Sequence, residues 1–210
     1  MEGSPCFVLG RAGDISFYGY NISMIGVDEV GRGCLAGPLL VVAARAKADL
    51  PIGLKDSKLL SRKQREEILS MLSICCEWGE GWVSCAEIDK YGLSKALNLG
   101  ATRALNSIKA DEDDEIILDG SFNYLPKKYR QSRAIIKADN SVAVVSAASI
   151  IAKVKRDDYM IELAKKHVSY GFEKHVGYGT KAHMLALKRF GAVKYVHRQS
   201  FAPVANLSGA

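Results

Sequence analysis

The sequence predicts an α/β domain built on a mixed β-sheet flanked by helices, with a C-terminal helical region. Three observations predict it. Short apolar runs bounded by polar turns interleave with stretches of helical spacing. Their order is three strands, helices, then strand, strand and a long helix. Three of the apolar runs close on an aspartate, which gives the sheet one chemically distinct end.

Taken in order, residues 1–23 form a weakly patterned, glycine-bearing lead-in that suits an edge strand or a disordered arm. Residues 24–27 are an apolar run ending on Asp28 and Glu29, and residues 38–46 (PLLVVAARA) are a second strand. Residues 54–58 make a polar loop. Ser61 sits where an N-cap opens the helix over residues 62–74. Residues 76–85 alternate loosely as a third strand, and 86–91 make a short helical turn. Residues 93–108 are an amphipathic helix with Leu93, Leu97, Ala101, Ala104, Leu105 and Ile108 near one face. Strands over 115–118 and 133–137 follow, then a long helix over 142–167, a glycine and aromatic loop over 168–179, and a last helix over 180–190. The expected organisation is a lead-in (1–23), one α/β domain with a basic helical end (24–202), and a tail (203–210).

With 210 residues, 48% hydrophobic and 25% charged, the chain is ordinary for one globular domain with a sizeable core. No apolar run reaches the ~18 to 20 residues of a membrane helix, and the N-terminus lacks a basic start before an apolar core, so a cytoplasmic protein with no membrane role is expected. Five cysteines show neither CxxC nor zinc spacing and read as free, mostly buried thiols. The charge is uneven. Residues 151–210 hold 11 Lys or Arg against 4 Asp or Glu, while the rest is near neutral. That footprint suits a polyanion; a merely solvated basic surface is the competing reading.

Asp28, Asp119 and Asp139 share one local pattern, in MIGVDE, IILDG and IIKADN. Strand ends that converge would gather these carboxylates. Clustered carboxylates repel unless a divalent cation such as Mg²⁺ relieves them. The competing reading makes them turn-formers and helix caps. Glu29 adjoins Asp28, yet adjacent strand residues point to opposite faces, so both serve one site only if the strand ends or twists there. Gly31-Arg32-Gly33 lets backbone N–H groups approach a ligand. Lys55, Ser57 and Lys58 suit phosphate contact or an ordinary turn. Ser146 and Ser149 open the long helix with small residues that permit close packing on the sheet. Asp157 reads as the partner of Arg156 in a structural ion pair. Tyr178 lies between two glycines, where an aromatic ring either packs in its loop or stacks on a nucleotide. His175 and His183 have the wrong spacing for a compact zinc pair, and the histidines are expected on the polar surface or at phosphates.

GVDEVGRGCLAGP (26–38) resembles the D-E-[AV]-G-R-G signature of ribonuclease HII. LKDSK (54–58), LDG (118–120), IKAD (136–139), SAASIIAKVKRD (146–157), GYGTKAH (177–183) and HRQSF (197–201) are similar to further blocks of that family in the same order, so the resemblance spans residues 24–202. It implies a ribonuclease H-like fold and a metal-dependent endonuclease acting on RNA/DNA hybrids and on ribonucleotide-containing duplex DNA. It implies Asp28, Glu29, Asp119 and Asp139 as the catalytic ligands of two divalent ions, Mg²⁺ or Mn²⁺. It places Gly31, Arg32 and Gly33 at the ribose 2′-hydroxyl, and Tyr178 on the sugar beyond the RNA-to-DNA junction. Lys55, Ser57, Lys58, Ser146 and Ser149 become phosphate contacts. Val30 stands where Ala is commoner. The sibling ribonuclease HIII usually carries Lys in place of Arg32 and a larger N-terminal domain. PVANLSGA (203–210) shows no aromatic sliding-clamp box, and a monomer is expected. A junction resolvase cutting all-DNA substrates and a non-catalytic hybrid-binding module are the alternatives; the second predicts a missing carboxylate, and all four are present.

Overall fold

The apolar runs assemble into a five-stranded sheet in the computed structural model, which describes residues 17–18, 24–51, 54 and 60–208. The strands are β1 (Phe17–Tyr18), β2 (Met24–Val30), β3 (Leu39–Ala46), β4 (Leu50–Pro51), β5 (Cys76–Val83), β6 (Glu115–Asp119) and β7 (Ser132–Ile135). β1 and β4 form a separate two-stranded ribbon, and the main sheet has the order β5-β3-β2-β6-β7. β5, β3 and β2 pair antiparallel, whereas β2, β6 and β7 run parallel. The mixed sheet is therefore the one the strand order predicts. β3 is buried on both faces along nearly all its length, which is why its sequence is continuously apolar rather than alternating.

The helices are α1 (Arg62–Cys75), α2 (Cys85–Tyr91), α3 (Leu93–Ser107), α4 (Ala143–Lys166), α5 (Phe172–His175), α6 (Lys181–Phe190) and α7 (Ala202–Ser208). Ser61 caps α1 in a reciprocal capping box with Gln64, and Ser84 does the same for α2 with Glu87. One face of the sheet packs against α1 and α4 around Leu40, Val42, Leu72 and Ile151. The other packs against α2 and α3 around Val27, Val41, Leu97 and Leu105. Gly26 brings the first layer close: a Cβ there would stand 2.4 Å from the Val144 carbonyl carbon of α4. The small residues at the start of α4 serve that approach, with Ala147 and Ala148 fully buried.

A third core, around Tyr170, Phe172, Leu187 and Val204, joins the far end of α4 to α5, α6 and α7. It corrects three expectations. The segment 168–179 is not an open loop but a 3-10 turn (Val168–Tyr170) followed by α5. Residues 203–208 lie on α7, with Val204 fully buried. His175, His183 and His197 are buried among aromatic rings, not on the surface, because this small lobe builds its core from rings. Cys34, Cys75, Cys76 and Cys85 are free and buried, as their spacing implies. Among the described residues no helix is long and apolar enough to cross a membrane.

Candidate active site

The chemically distinct edge of the sheet lies at the C-terminal end of β2, the strand that pairs antiparallel with β3 on one side and parallel with β6 on the other. Val27 pairs with Leu118, so the next residues, Asp28 and Asp119, stand side by side on adjacent strands. Asp119 closes β6 as predicted. Asp28 does not close its strand, because β2 continues through Glu29 to Val30 and stays paired with β3. Alternation then sends the two acids apart. Asp28 turns toward α4, where its carboxylate is hydrogen-bonded with Ser149. Glu29 turns the other way, accepts the Tyr124 hydroxyl at 2.8 Å, and stands 3.6 Å from Arg32. Asp119 lies near enough to raise the proton affinity of both.

Asp139 also departs from its expected place. The strand ends at Ile135, and Asp139 sits on a 3-10 turn (Ala138–Asn140), 1% exposed. The turn is pinned to the site, because the Ala138 N–H donates to Asp119 Oδ1 at 2.8 Å. Ser146 is fully buried, and its hydroxyl donates to the Asp139 carbonyl. That bond gives the serine at this position a structural partner on the turn that carries Asp139.

A cleft of about 350 Å³ is lined by Asp28, Glu29, Val30, Gly31, Arg32, Gly33, Arg65, Asp119, Ser149, Lys153 and Tyr178. Most of the residues singled out from sequence therefore meet on one concavity; Asp139 and Ser146 lie behind it. Lys55, Ser57 and Lys58 lie outside the described residues. Tyr178 is 41% exposed on the rim, with Cys34 near its hydroxyl. Asp157 forms the expected kind of ion pair but with other partners: Lys153 at 2.9 Å and Arg65 at 3.9 Å.

Four side chains carry weight that the sequence reading did not give them. Arg65 and Lys153 bring positive charge into the cleft. Arg156 and Arg198 lie fully buried behind the loop joining β2 to β3. Arg156 donates to the carbonyls of Pro38, Val176 and Ala36 at 2.8 to 3.1 Å. Arg198 donates to Arg32 and Gly37. Gly31, at φ +88°, rests on Arg156: a Cβ there would lie 2.2 Å from its Nε. Each arginine stands in a family-like block, SAASIIAKVKRD (146–157) and HRQSF (197–201), but between polar neighbours that give no local sign of burial.

The electrostatics of the cleft are strained. Burial, then the charges of Glu29 and Asp119, push Asp28 up to about 8, which the Ser149 bond only partly offsets. Burial also raises Glu29, against the Tyr124 hydrogen bond and the Arg32 charge. Among the described residues no three His, Cys, Asp or Glu side chains stand as a ready-formed cation cage. The donor chemistry nevertheless fits a divalent ion, because the groups are hard oxygens whose mutual repulsion a cation relieves.

That strain has a stability signature. Asp28 has a folded pKa above its unfolded value, so the unfolded chain loses this proton first as pH rises. Between about pH 4 and pH 8 the native state binds more protons and its stability falls with pH. Metal-free Asp28→Asn protein is therefore expected to melt above the parent at pH 8, by several degrees, with the gap shrinking toward pH 4. Equal melting temperatures at pH 8, measured in chelator, would mean that Asp28 bears no such penalty.

Solved structures share this architecture. Ribonuclease HII of Archaeoglobus fulgidus, determined in complex with PCNA, matches with a TM-score of 0.70 and 26% identity over 88% of this chain and 96% of that one. The ribonuclease H2 of Pyrococcus horikoshii OT3 matches with a TM-score of 0.67 and 25% identity over 89% and 97%. Fold and cleft together define a hydrolase of the ribonuclease H class.

The model of the Ribonuclease HII family matches residues 25–204, and the chain belongs to that family. Relatives named Ribonuclease HII include those of Sphingopyxis alaskensis, 42% identical over 88% of this chain and 91% of the relative, and of Coxiella burnetii, 40% identical over 89% and 92%.

Proposed function

We propose that this ribonuclease H cuts the RNA strand of RNA/DNA hybrids and nicks duplex DNA on the 5′ side of single embedded ribonucleotides, leaving a 3′-hydroxyl and a 5′-phosphate. The observation that carries the reading is one cleft joining Asp28, Glu29 and Asp119 to the Gly31–Gly33 backbone and the exposed ring of Tyr178. Asp28, Glu29 and Asp119, with Asp139 behind them, are the ligands for two divalent ions, Mg²⁺ or Mn²⁺. A ribonuclease HIII of the same fold (Bst-RNase HIII, 20% identical) has been solved with Mn²⁺. Bound ions would supply an activated water and charge neutralisation at the leaving oxygen.

The chain's own residues do the rest. Arg65 and Lys153 draw the scissile phosphate toward the carboxylates, Ser149 orients Asp28, and Tyr124 orients Glu29. The backbone of Gly31, Arg32 and Gly33 reads the 2′-hydroxyl that distinguishes RNA from DNA. Lys55, Ser57 and Lys58 contact phosphates in this reading. The basic C-terminal part supplies affinity that falls as salt rises. The cellular role is ribonucleotide and primer removal by a cytoplasmic monomer, and the buried free thiols support a reducing compartment.

The test is cleavage in Mg²⁺ of three labelled duplexes: all DNA, DNA with one ribonucleotide, and a full hybrid. Cutting 5′ to the single ribonucleotide with the all-DNA duplex intact is expected. Cutting of the all-DNA duplex would favour a resolvase, and binding without turnover a hybrid-binding module. Tyr178→Ala is expected to lower kcat/KM on the single-ribonucleotide duplex by roughly tenfold or more, about the value of one lost stacking contact. The long hybrid should change far less. Equal loss on both substrates contradicts junction sensing.

A further inference from the structure

His175, His183 and His197 are buried and take no part in the chemistry proposed above. Their hydrogen bonds form a chain whose ends are fixed by the backbone. The Val193 N–H donates to His197 Nδ1 at 2.9 Å, so the proton of that ring sits on Nε2. His197 Nε2 meets His183 Nε2 at 3.2 Å, which must then accept. The His183 proton is left on Nδ1, which donates to the Tyr178 carbonyl at 2.9 Å. A backbone donor at one end and a backbone acceptor at the other admit two protons on the pair and no third.

His175 completes the frame. The Gly177 N–H donates to its Nδ1, its Nε2–H donates to the Tyr170 carbonyl, and its ring stacks on His183 at 4.5 Å. The His175 carbonyl accepts the Tyr178 N–H at 2.9 Å. Both backbone polar groups of Tyr178 thus have a histidine partner, its carbonyl also accepting the Thr180 N–H at 2.8 Å, while its ring lies exposed on the rim of the cleft.

We infer that His183 and His197 are positioning residues, a neutral imidazole relay that fixes the backbone of Tyr178 and so sets its ring against the substrate. The inference rests on the reading of Tyr178 given above. An apolar core would pack this lobe without the cost of burying three imidazoles; the relay adds a side-chain donor of fixed direction at the Tyr178 carbonyl, beside the local Thr180 N–H. The titratable groups facing the pair are His175 from α5, His167 at the end of α4 and Tyr170 from the 3-10 turn. Burial and these neighbouring imidazoles hold His197 down to about 4 and His183 below its usual range, so the relay is neutral at physiological pH.

The experiment compares full-length wild type, His183→Leu, His183→Asn and Tyr178→Ala in Mg²⁺ on the single-ribonucleotide duplex and the long hybrid. His183→Leu is expected to lose about tenfold in kcat/KM on the first and to stay within about threefold on the second. His183→Asn, whose side-chain amide can still donate to the Tyr178 carbonyl, should recover most of the loss. Equal loss on both substrates, no loss, or no rescue overturns the inference. Wild-type ring ¹⁵N shifts guard against a leucine variant that does not fold. They should show His183 protonated on Nδ1 and His197 on Nε2 at pH 7; the reverse tautomers, or ordinary titration near 6.5, also overturn it. The ¹³C shift of the Tyr178 carbonyl separates the two readings: it should move in His183→Leu whatever Tyr178→Ala does to selectivity. A Tyr178→Ala protein that keeps full selectivity sinks the stacking role, and an unmoved carbonyl sinks the relay.

Discussion

Asp119→Asn should abolish cleavage, by about a thousandfold or more in kcat, while leaving the metal-free protein as stable as the parent or more so. The two effects have opposite signs for one physical reason. Asp119 adds its charge to Asp28 and Glu29, both of which burial already penalises. Removing that charge relieves the folded apoprotein. Asparagine retains a carbonyl oxygen that can accept the Ala138 N–H now bound to Oδ1, so the 3-10 turn carrying Asp139 keeps its anchor. What the variant loses is the anionic oxygen that a cation needs. A thousandfold loss corresponds to about 4 kcal/mol of transition-state stabilisation, within the several kcal/mol expected of metal-assisted charge neutralisation. Mg²⁺ should raise the melting temperature of the wild type and raise that of the variant much less. Activity and metal-free stability falling together would instead make Asp119 a structural residue.

Much of this site was legible in the sequence because a parallel strand pair carries its register in its pattern. MIGVD and IILD are apolar runs of similar length that end on aspartate, and pairing Val27 with Leu118 aligns those ends. The capping serine Ser61 and the strand β3 were legible for similarly local reasons. Other features were set by tertiary contacts that no spacing encodes. The run at 133–137 is apolar through Ile136, yet the strand stops at Ile135, because Lys137 takes a left-handed backbone conformation (φ +57°) and the chain turns into the Asp119 carboxylate. Asp28 looked terminal because polar residues follow it, but β3 goes on pairing through Val30. The histidines looked exposed because a basic, polar C-terminal third hides a small aromatic core; Phe172 packs against both His183 and His197, and Tyr170 against His197. The ion pair of Asp157 was foreseeable, but its partners follow from helix geometry: Lys153 lies one turn away at i−4, whereas Arg156, at i−1, points elsewhere.

Arg156→Lys should be nearly as damaging as Arg156→Met, and this sets it apart from an ordinary surface arginine. The guanidinium is fully buried and reaches three carbonyls, those of Ala36, Pro38 and Val176, which belong to two segments flanking the cleft. One ammonium on a flexible stem cannot match that planar fork, so lysine leaves buried carbonyls unpartnered and adds a strongly hydrated charge to a dry site. Each orphaned carbonyl costs about 1–3 kcal/mol, and breaking such a buried charged network costs roughly 3–5 kcal/mol in all. At about 2–4 °C per kcal/mol for a chain of this size, the melting temperature should drop by about 10 °C. The loss of activity should exceed what the unfolded fraction explains, because Gly31 rests on Arg156 and Val176 precedes the Gly177–Tyr178 turn. Assayed well below its melting temperature, the lysine variant should therefore discriminate less sharply between ribonucleotide-containing and all-DNA duplexes. Full discrimination in a folded Arg156→Lys protein would mean that the Gly31–Gly33 backbone holds its place without the fork, and that the buried arginine serves stability alone.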